Sequence, residues 1–248
     1  MIMKILKFIL VIAGTLSSLL LFQSCLDDDD NYENNLYPNA LVTVKQANDK
    51  SVFLQLDEKT TLLPVNLTTS PFGAKEVRAL VNYKEVNESS KEYTKAVYVN
   101  WIDSLRTKMM VPDLNSENDA VYGKDPVEIV NDWVTIAEDG YLTLRFRIPV
   151  GNESKIHIMN LLAGGNPENL YEVELRHNAS GDVEGRMRDA LIAFKLDKLP
   201  DTNGKTVKLK LKWKSFSGDK SVEFDYSTKK ASETKLAIPS ERPIKNIK

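Results

Sequence analysis

The chain has 248 residues, 42% hydrophobic and 27% charged, with a formal net charge of −2. That apolar fraction suits a packed core rather than a disordered chain, and the acidic balance argues against the basic footprint of a nucleic-acid binder. A single cysteine excludes an internal disulfide and a cysteine cluster for zinc.

The N-terminus reads as an export signal. Lys4 and Lys7 place positive charge first, and an apolar stretch of about 15 residues, Phe8 to Phe22, follows. It is shorter than the roughly 20 apolar residues that span a bilayer. Leu21-Phe22-Gln23-Ser24-Cys25 then resembles the lipobox cut by lipoprotein signal peptidase. Ser24 has the small side chain expected before the cut, whereas Phe22 and Gln23 depart from the usual consensus. Taken alone, Cys25 could be a buried thiol, a nucleophile or half of an intermolecular disulfide. Its place at the end of the signal points to cleavage after residue 24 and to acylation of Cys25, which would attach the protein to membrane lipid. Each buried methylene contributes about 0.8 kcal/mol, and several chains hold firmly where one holds marginally. Removing Lys4 and Lys7 from the 33 basic residues leaves 31 against 35 acidic ones, a mature charge of −4.

Behind Cys25 stand Leu26 and Asp27-Asp28-Asp29-Asp30. A run of like charges repels itself and stays solvated, so residues 25–37 read as an acylated, flexible tether after a signal peptide over 1–24. The run also resembles the export signal that sends Bacteroides-type lipoproteins to the outer face of the outer membrane. That resemblance implies a cell-surface location, with periplasm-facing attachment as the alternative.

From residue 38 the dominant pattern is alternation. Strands are expected near Ala40–Gln46, Ser51–Leu56, Thr61–Val65, Glu76–Val86, Lys95–Trp101 and Arg106–Val111, and this set fits a small barrel over 38–113. The polar run Asp113 to Asp119 lacks periodicity and reads as the domain boundary. A second domain over 118–230 opens on Asp125-Pro126-Val127-Glu128 and carries clear period-two stripes. Leu142, Leu144, Phe146 and Ile148 alternate with Thr143, Arg145 and Arg147; Val207, Leu209, Leu211 and Trp213 alternate with lysines. Tyr171, Val173 and Leu175, and then Val222, Phe224 and Tyr226, repeat the pattern between turns such as Asp139-Gly140 and Ser217-Gly218-Asp219. Such strands have one face on a core and one in water, which points to an antiparallel sandwich. One helical patch, Glu184–Asp189, is expected before a strand at Ala190–Leu196, and residues 231–248 form a polar tail.

This layout resembles the NigD-like lipoproteins. The match is carried by Cys25 to Asp30, Leu56-Asp57 leading into Thr61–Val65, and the Arg78–Tyr83 strand. In the second half it is carried by Asp125–Val134, Gly140–Leu144 and His177–Asp182. The resemblance implies an all-β protein, an N-terminal OB-like barrel followed by a C-terminal antiparallel β-sandwich. Because the family is named after a bacteriocin gene cluster, it also implies an immunity-type role. No catalytic or ligand-binding residues are agreed for the family, so none transfers.

The residues themselves argue for binding rather than catalysis. His157 and His177 lack the further His or Cys ligands of a zinc site, and His157 is expected as a surface or sheet-face residue, opposite Ile156 and Ile158. Asp113, Asn115, Glu117 and Asp119 offer oxygen ligands but lack the glycine and terminal glutamate of an EF-hand loop, so no metal or other cofactor is expected. No serine sits in a nucleophile elbow, and Gly164-Gly165 lacks the Lys-Ser/Thr of a phosphate loop. Trp101, Trp133 and Trp213 lie in apolar stripes and read as core, since a glycan platform needs exposed rings. Asp103-Ser104-Leu105 resembles the O-glycosylation sequon of the same bacteria and marks Ser104. The expected function is an envelope protein without catalytic activity that binds a protein or glycan partner and no nucleic acid. A structural or accessory subunit of an outer-membrane assembly, or a glycan binder in nutrient capture, is the alternative.

Overall fold

The structure, a computed structural model, describes residues 36–228. The signal peptide, Cys25, Asp27, Asp28, Asp29 and Asp30 lie outside the described residues, as does the expected tail 231–248. Barrel and sandwich belong to one compact unit that begins at Pro38. Among the described residues no helix is long and apolar enough to cross a membrane.

Five strands make the barrel: β1 (Ala40–Gln46), β2 (Val52–Gln55), β3 (Thr61–Pro64), β4 (Val77–Glu85) and β5 (Lys95–Ser104). They close in the order β1-β2-β3-β5-β4, with β3 and β5 parallel and β4 returning antiparallel to β1. Every second residue points inward because strand side chains alternate. Val42, Val44, Leu54, Leu62, Ala79, Val81, Val97 and Val99 thereby fill the lumen. The β2–β3 turn is set by Asp57, whose Oδ1 accepts the amides of Lys59 and Thr60 at 2.8 Å each. An aspartate bonding the backbone two and three residues on is a standard way to close such a turn.

The sandwich has two sheets. One runs β6 (Thr107–Met109), β13 (Arg186–Lys195), β10 (Tyr141–Val150), β8 (Glu128–Val130), with β9 (Ile136–Glu138) also on β10. The other runs β15 (Gly218–Tyr226), β14 (Val207–Ser215), β12 (Glu172–Asn178), β11 (Ile158–Ala163), β7 (Val111–Pro112). Leu142, Leu144, Phe146, Phe194, Leu161, Leu175, Leu209 and Leu211 interleave in the core between them.

Three expectations change. The strand expected at Arg106–Val111, placed with the barrel, splits into β6 and β7, which pair in parallel with β13 and β11 of the sandwich. Met110 between them is buried at 2% exposure, because a segment passing from one sheet to the other must cross the core. The barrel therefore ends near Ser104 rather than at 113, and the polar run after it folds inside the second domain as a 3-10 turn (Asn115–Glu117) and a short helix, α1 (Asn118–Tyr122). The helical patch at Glu184–Asp189 is replaced from Arg186 on by β13, in continuous register with β10 from Arg186↔Val150 to Lys195↔Tyr141. Ladder pairing along ten residues outweighs the weak helical propensity of six.

Candidate functional site

Two polar clusters stand out, one where the barrel meets the sandwich and one at an end of the sandwich. At the first, Arg78 on β4 points outward from the barrel yet its side chain is fully buried. Its Nη1 donates to Thr43 Oγ1 at 2.9 Å on the neighbouring strand β1. Its other nitrogens reach the sandwich: Nε to Thr143 Oγ1 and Nη2 to Glu138 Oε2, both at 3.5 Å. Alongside, Lys45 Nζ lies 2.8 Å from Asp139, and the Tyr141 hydroxyl donates to Glu76 Oε1 at 2.6 Å. The sandwich partners all lie on or beside one hairpin. Asp139 and Gly140, at φ 50° and 78°, form its two-residue turn, which needs positive φ at both positions. Burial pushes the Arg78 guanidinium down, and Glu138 and Asp139 oppose that shift. Burial and the Glu76 hydrogen bond raise the Tyr141 phenol.

The second cluster joins three segments. His157 ends the loop between β10 and β11, His177 lies on β12, and Asp182 lies in the loop between β12 and β13. The two rings lie edge to edge and nearly coplanar, with centroids 5.2 Å apart and an interplanar angle of 18°. His157 Nδ1 faces His177 Nε2 at 3.0 Å, and His157 Nε2 faces Asp182 Oδ2 at 3.1 Å. His177 Nδ1 meets the Pro126 carbonyl at 3.1 Å. Asp182 also accepts the amides of Gly151 and Asn152. Hydrogen bonds from His157 and from these amides hold its carboxyl below the usual range. Burial pushes His177 down. His177 is 1% exposed, and His157 is half-buried while its neighbour Ile156 is 71% exposed. The surface histidine expected at 157 is thus an inward one, because the chain there is a loop that turns the ring onto β12 before β11 begins.

Family models for the NigD-like N-terminal OB domain and the NigD-like C-terminal beta sandwich domain match residues 41–105 and 109–226. The chain belongs to the NigD-like family. Solved structures agree with that placement. A protein of Parabacteroides distasonis, provisionally named as toxin related, is 31% identical, with TM-score 0.64 over 76% of this chain and 92% of that one. A protein of unknown function from Bacteroides vulgatus is 22% identical, with TM-score 0.63 over 82% and 95%. A NigD-like immunity protein from Bacteroides caccae is 24% identical, with TM-score 0.53 over 76% and 96%. The last two likenesses concern the fold alone. No curated protein matches the chain in sequence.

The remaining sequence-marked residues of this NigD-like chain fall in separate places. Asp103 and Ser104 are exposed at the end of β5. Asp113 Oδ1 accepts the Asn115 amide and Asn118 Nδ2, while Asp119 pairs with Lys124 and Arg176, so these oxygens serve the fold. Trp213 is in the sandwich core at 7% exposure, and Trp101 and Trp133 are half-buried. A shallow groove of about 210 Å³ is lined by Asp132, Val134, Arg145, Asp189, Ala190 and Leu191, and its charged groups neutralise one another through Arg145. Sequence reasoning passed over Arg78 and Asp182. One signal for the junction was legible: the outward positions of β10 run Tyr141, Thr143, Arg145, Arg147, turning from neutral to charged where the barrel's cover ends.

Proposed function

We propose that this protein is a lipid-anchored envelope protein of immunity type, without catalytic activity, that acts by capturing a protein partner. The observation that carries the reading is how its reactive side chains are used. The two histidines face each other, His177 also meets a backbone carbonyl, and Asp182 is taken up by His157 and two amides, so the groups most suited to acid–base work brace loops. Membership of the NigD-like family, and a relative described as an immunity protein, support the same reading. Deletion of the gene should sensitise cells to one inhibitor made by sibling strains. Unchanged sensitivity across such inhibitors would reject the immunity role.

The anchor is Cys25 and the surface address is Asp27 to Asp30. Cys25→Ala should release the protein from the membrane fraction, and replacing the four aspartates by asparagine should remove it from the reach of protease added to intact cells. Persistence of both properties would overturn these assignments. Ser104, exposed at the barrel rim, is the proposed O-glycan site; an unmodified mass for its peptide from native protein would refute that. A glycan-binding role is the second reading, and Tyr98 favours it: the ring is 42% exposed on the barrel's outer face, with Lys84 Nζ 5.2 Å from its centroid. Tyr98→Ala should then abolish binding on a glycan array that the parent protein lights up.

A further inference from the structure

The histidine cluster contains three contacts that each require one proton: His157 to Asp182, His157 to His177, and His177 to the Pro126 carbonyl. Asp182 and a carbonyl only accept when the carboxyl is ionised, so the rings must donate at both ends. The middle contact needs a third proton between the two rings. Two neutral imidazoles carry two protons in all. The full set of contacts therefore holds one proton more than the neutral pair.

Where that charge sits follows from the surroundings. His177 is buried and its Nδ1 donates to Pro126, which makes it the neutral Nδ1–H tautomer with a lone pair on Nε2. His157 is then the imidazolium, donating through Nδ1 to His177 and through Nε2 to Asp182. Asp182 is the carboxylate on His157, from the β12–β13 loop, and Asp125, from the segment before β8, is the carboxylate acting on His177. Asp125 is itself held by the Ala179 amide at 2.7 Å. Loss of the His157 proton sets two nitrogen lone pairs against each other at 3.0 Å, or forces His177 to give up Pro126.

We propose that His157 and His177 form a proton-held clasp, in which one shared positive charge ties the β10–β11 loop to β12 and its loss as pH rises loosens that loop. The segment so controlled runs from Gly151 to Ile158 and displays Ile156 and Ile158, which are 71% and 40% exposed. The clasp is independent of the partner proposed above. The surface this loop offers changes with proton concentration whatever it touches.

The chain has two histidines in all, so labelling the full chain with 15N-histidine yields signals from these two rings only. Long-range proton–nitrogen spectra from pH 5 to 9 should show one imidazolium beside one neutral Nδ1–H ring. Both should shift together in a single step as the charge is lost. Hydrogen exchange, corrected for intrinsic rate, should show protection of 151–158 falling roughly 2- to 10-fold across that step, the scale of one hydrogen bond. The β10–β13 ladder should keep its protection. His157→Gln, which carries no titratable ring, should abolish the pH dependence; His177→Gln serves the same purpose if the first variant does not fold. Two rings titrating independently, or protection of the loop that does not vary with pH, would overturn the clasp.

Discussion

Arg78 shows how one residue joins two domains. Its guanidinium is removed from water and bonded on both sides, to Thr43 of the barrel and to Thr143 and Glu138 of the sandwich. Taking away one partner of such a set leaves the other charge buried, and that loss outweighs the contact itself. Arg78→Met should therefore destabilise the protein by about 3–5 kcal/mol in urea unfolding, because Glu138 stays buried at 5% exposure. Arg78→Met combined with Glu138→Met should recover much of that loss, since an apolar pair carries no desolvation cost. His177 makes the second residue-scale case. Its folded pKa lies below the ordinary 6.5, so below about pH 6.5 the unfolded chain takes up a proton that the folded ring refuses. This contribution to stability is present above 6.5 and is lost as pH falls through the window beneath it. Unfolding free energy measured from pH 7 to 5 should fall less steeply for His177→Asn than for the parent.

At the scale of elements, β13 is where local preference yields to pairing. It is preceded by Gly185, whose φ of 132° and whose approach to Val150 leave no room for a side chain: a Cβ would come within 2.4 Å of the Val150 carbonyl. Gly185→Ala should cost more than about 1 kcal/mol and lower the melting temperature, since such a φ strains any L residue. Across the exposed face, Asp189 is bonded by Arg147 and Arg145 from β10 and its pKa is lowered to about 2. A depressed carboxylate stabilises above its unfolded value of 3.8 and loses that contribution as pH falls towards 2. Solvent reaches a quarter of this side chain, so screening reduces the effect of Asp189→Asn to about 1 kcal/mol at pH 7. The difference between parent and variant should vanish in unfolding measured near pH 2. The expected helix over Glu184–Asp189 could not have been rejected locally, because the Arg–Asp bonds that favour the strand come from residues more than forty positions away.

The whole molecule is bound together by its junction. Residues Leu105 and Arg106 leave the barrel by bonding the Arg78 carbonyl and Ala193, so the connection is itself hydrogen-bonded into both domains. The chain then supplies β6 to one sheet and β7 to the other. A barrel and sandwich coupled this way should unfold as one unit. Calorimetry should show a single transition for residues 38–228, whereas two separated transitions would mean the junction is weaker than its burial implies.

Much of this was legible in the sequence. Alternation of apolar and charged residues specifies strands with one wet face, so the all-β class, the inward sets of β10 and β14 and turns such as Asp139-Gly140 were readable from local spacing. The order of those elements, compared with a known family, supplied the barrel and the sandwich. Tertiary structure alone decided which outward residues become buried. Arg78 and Thr143 look like surface positions on their own strands and are enclosed only because one domain covers the other. His157 and His177, twenty residues apart, become a pair only when a loop folds back onto β12. Period-two spacing states which face a side chain shares with its neighbours, but what lies against that face is fixed by contacts between residues distant in the chain.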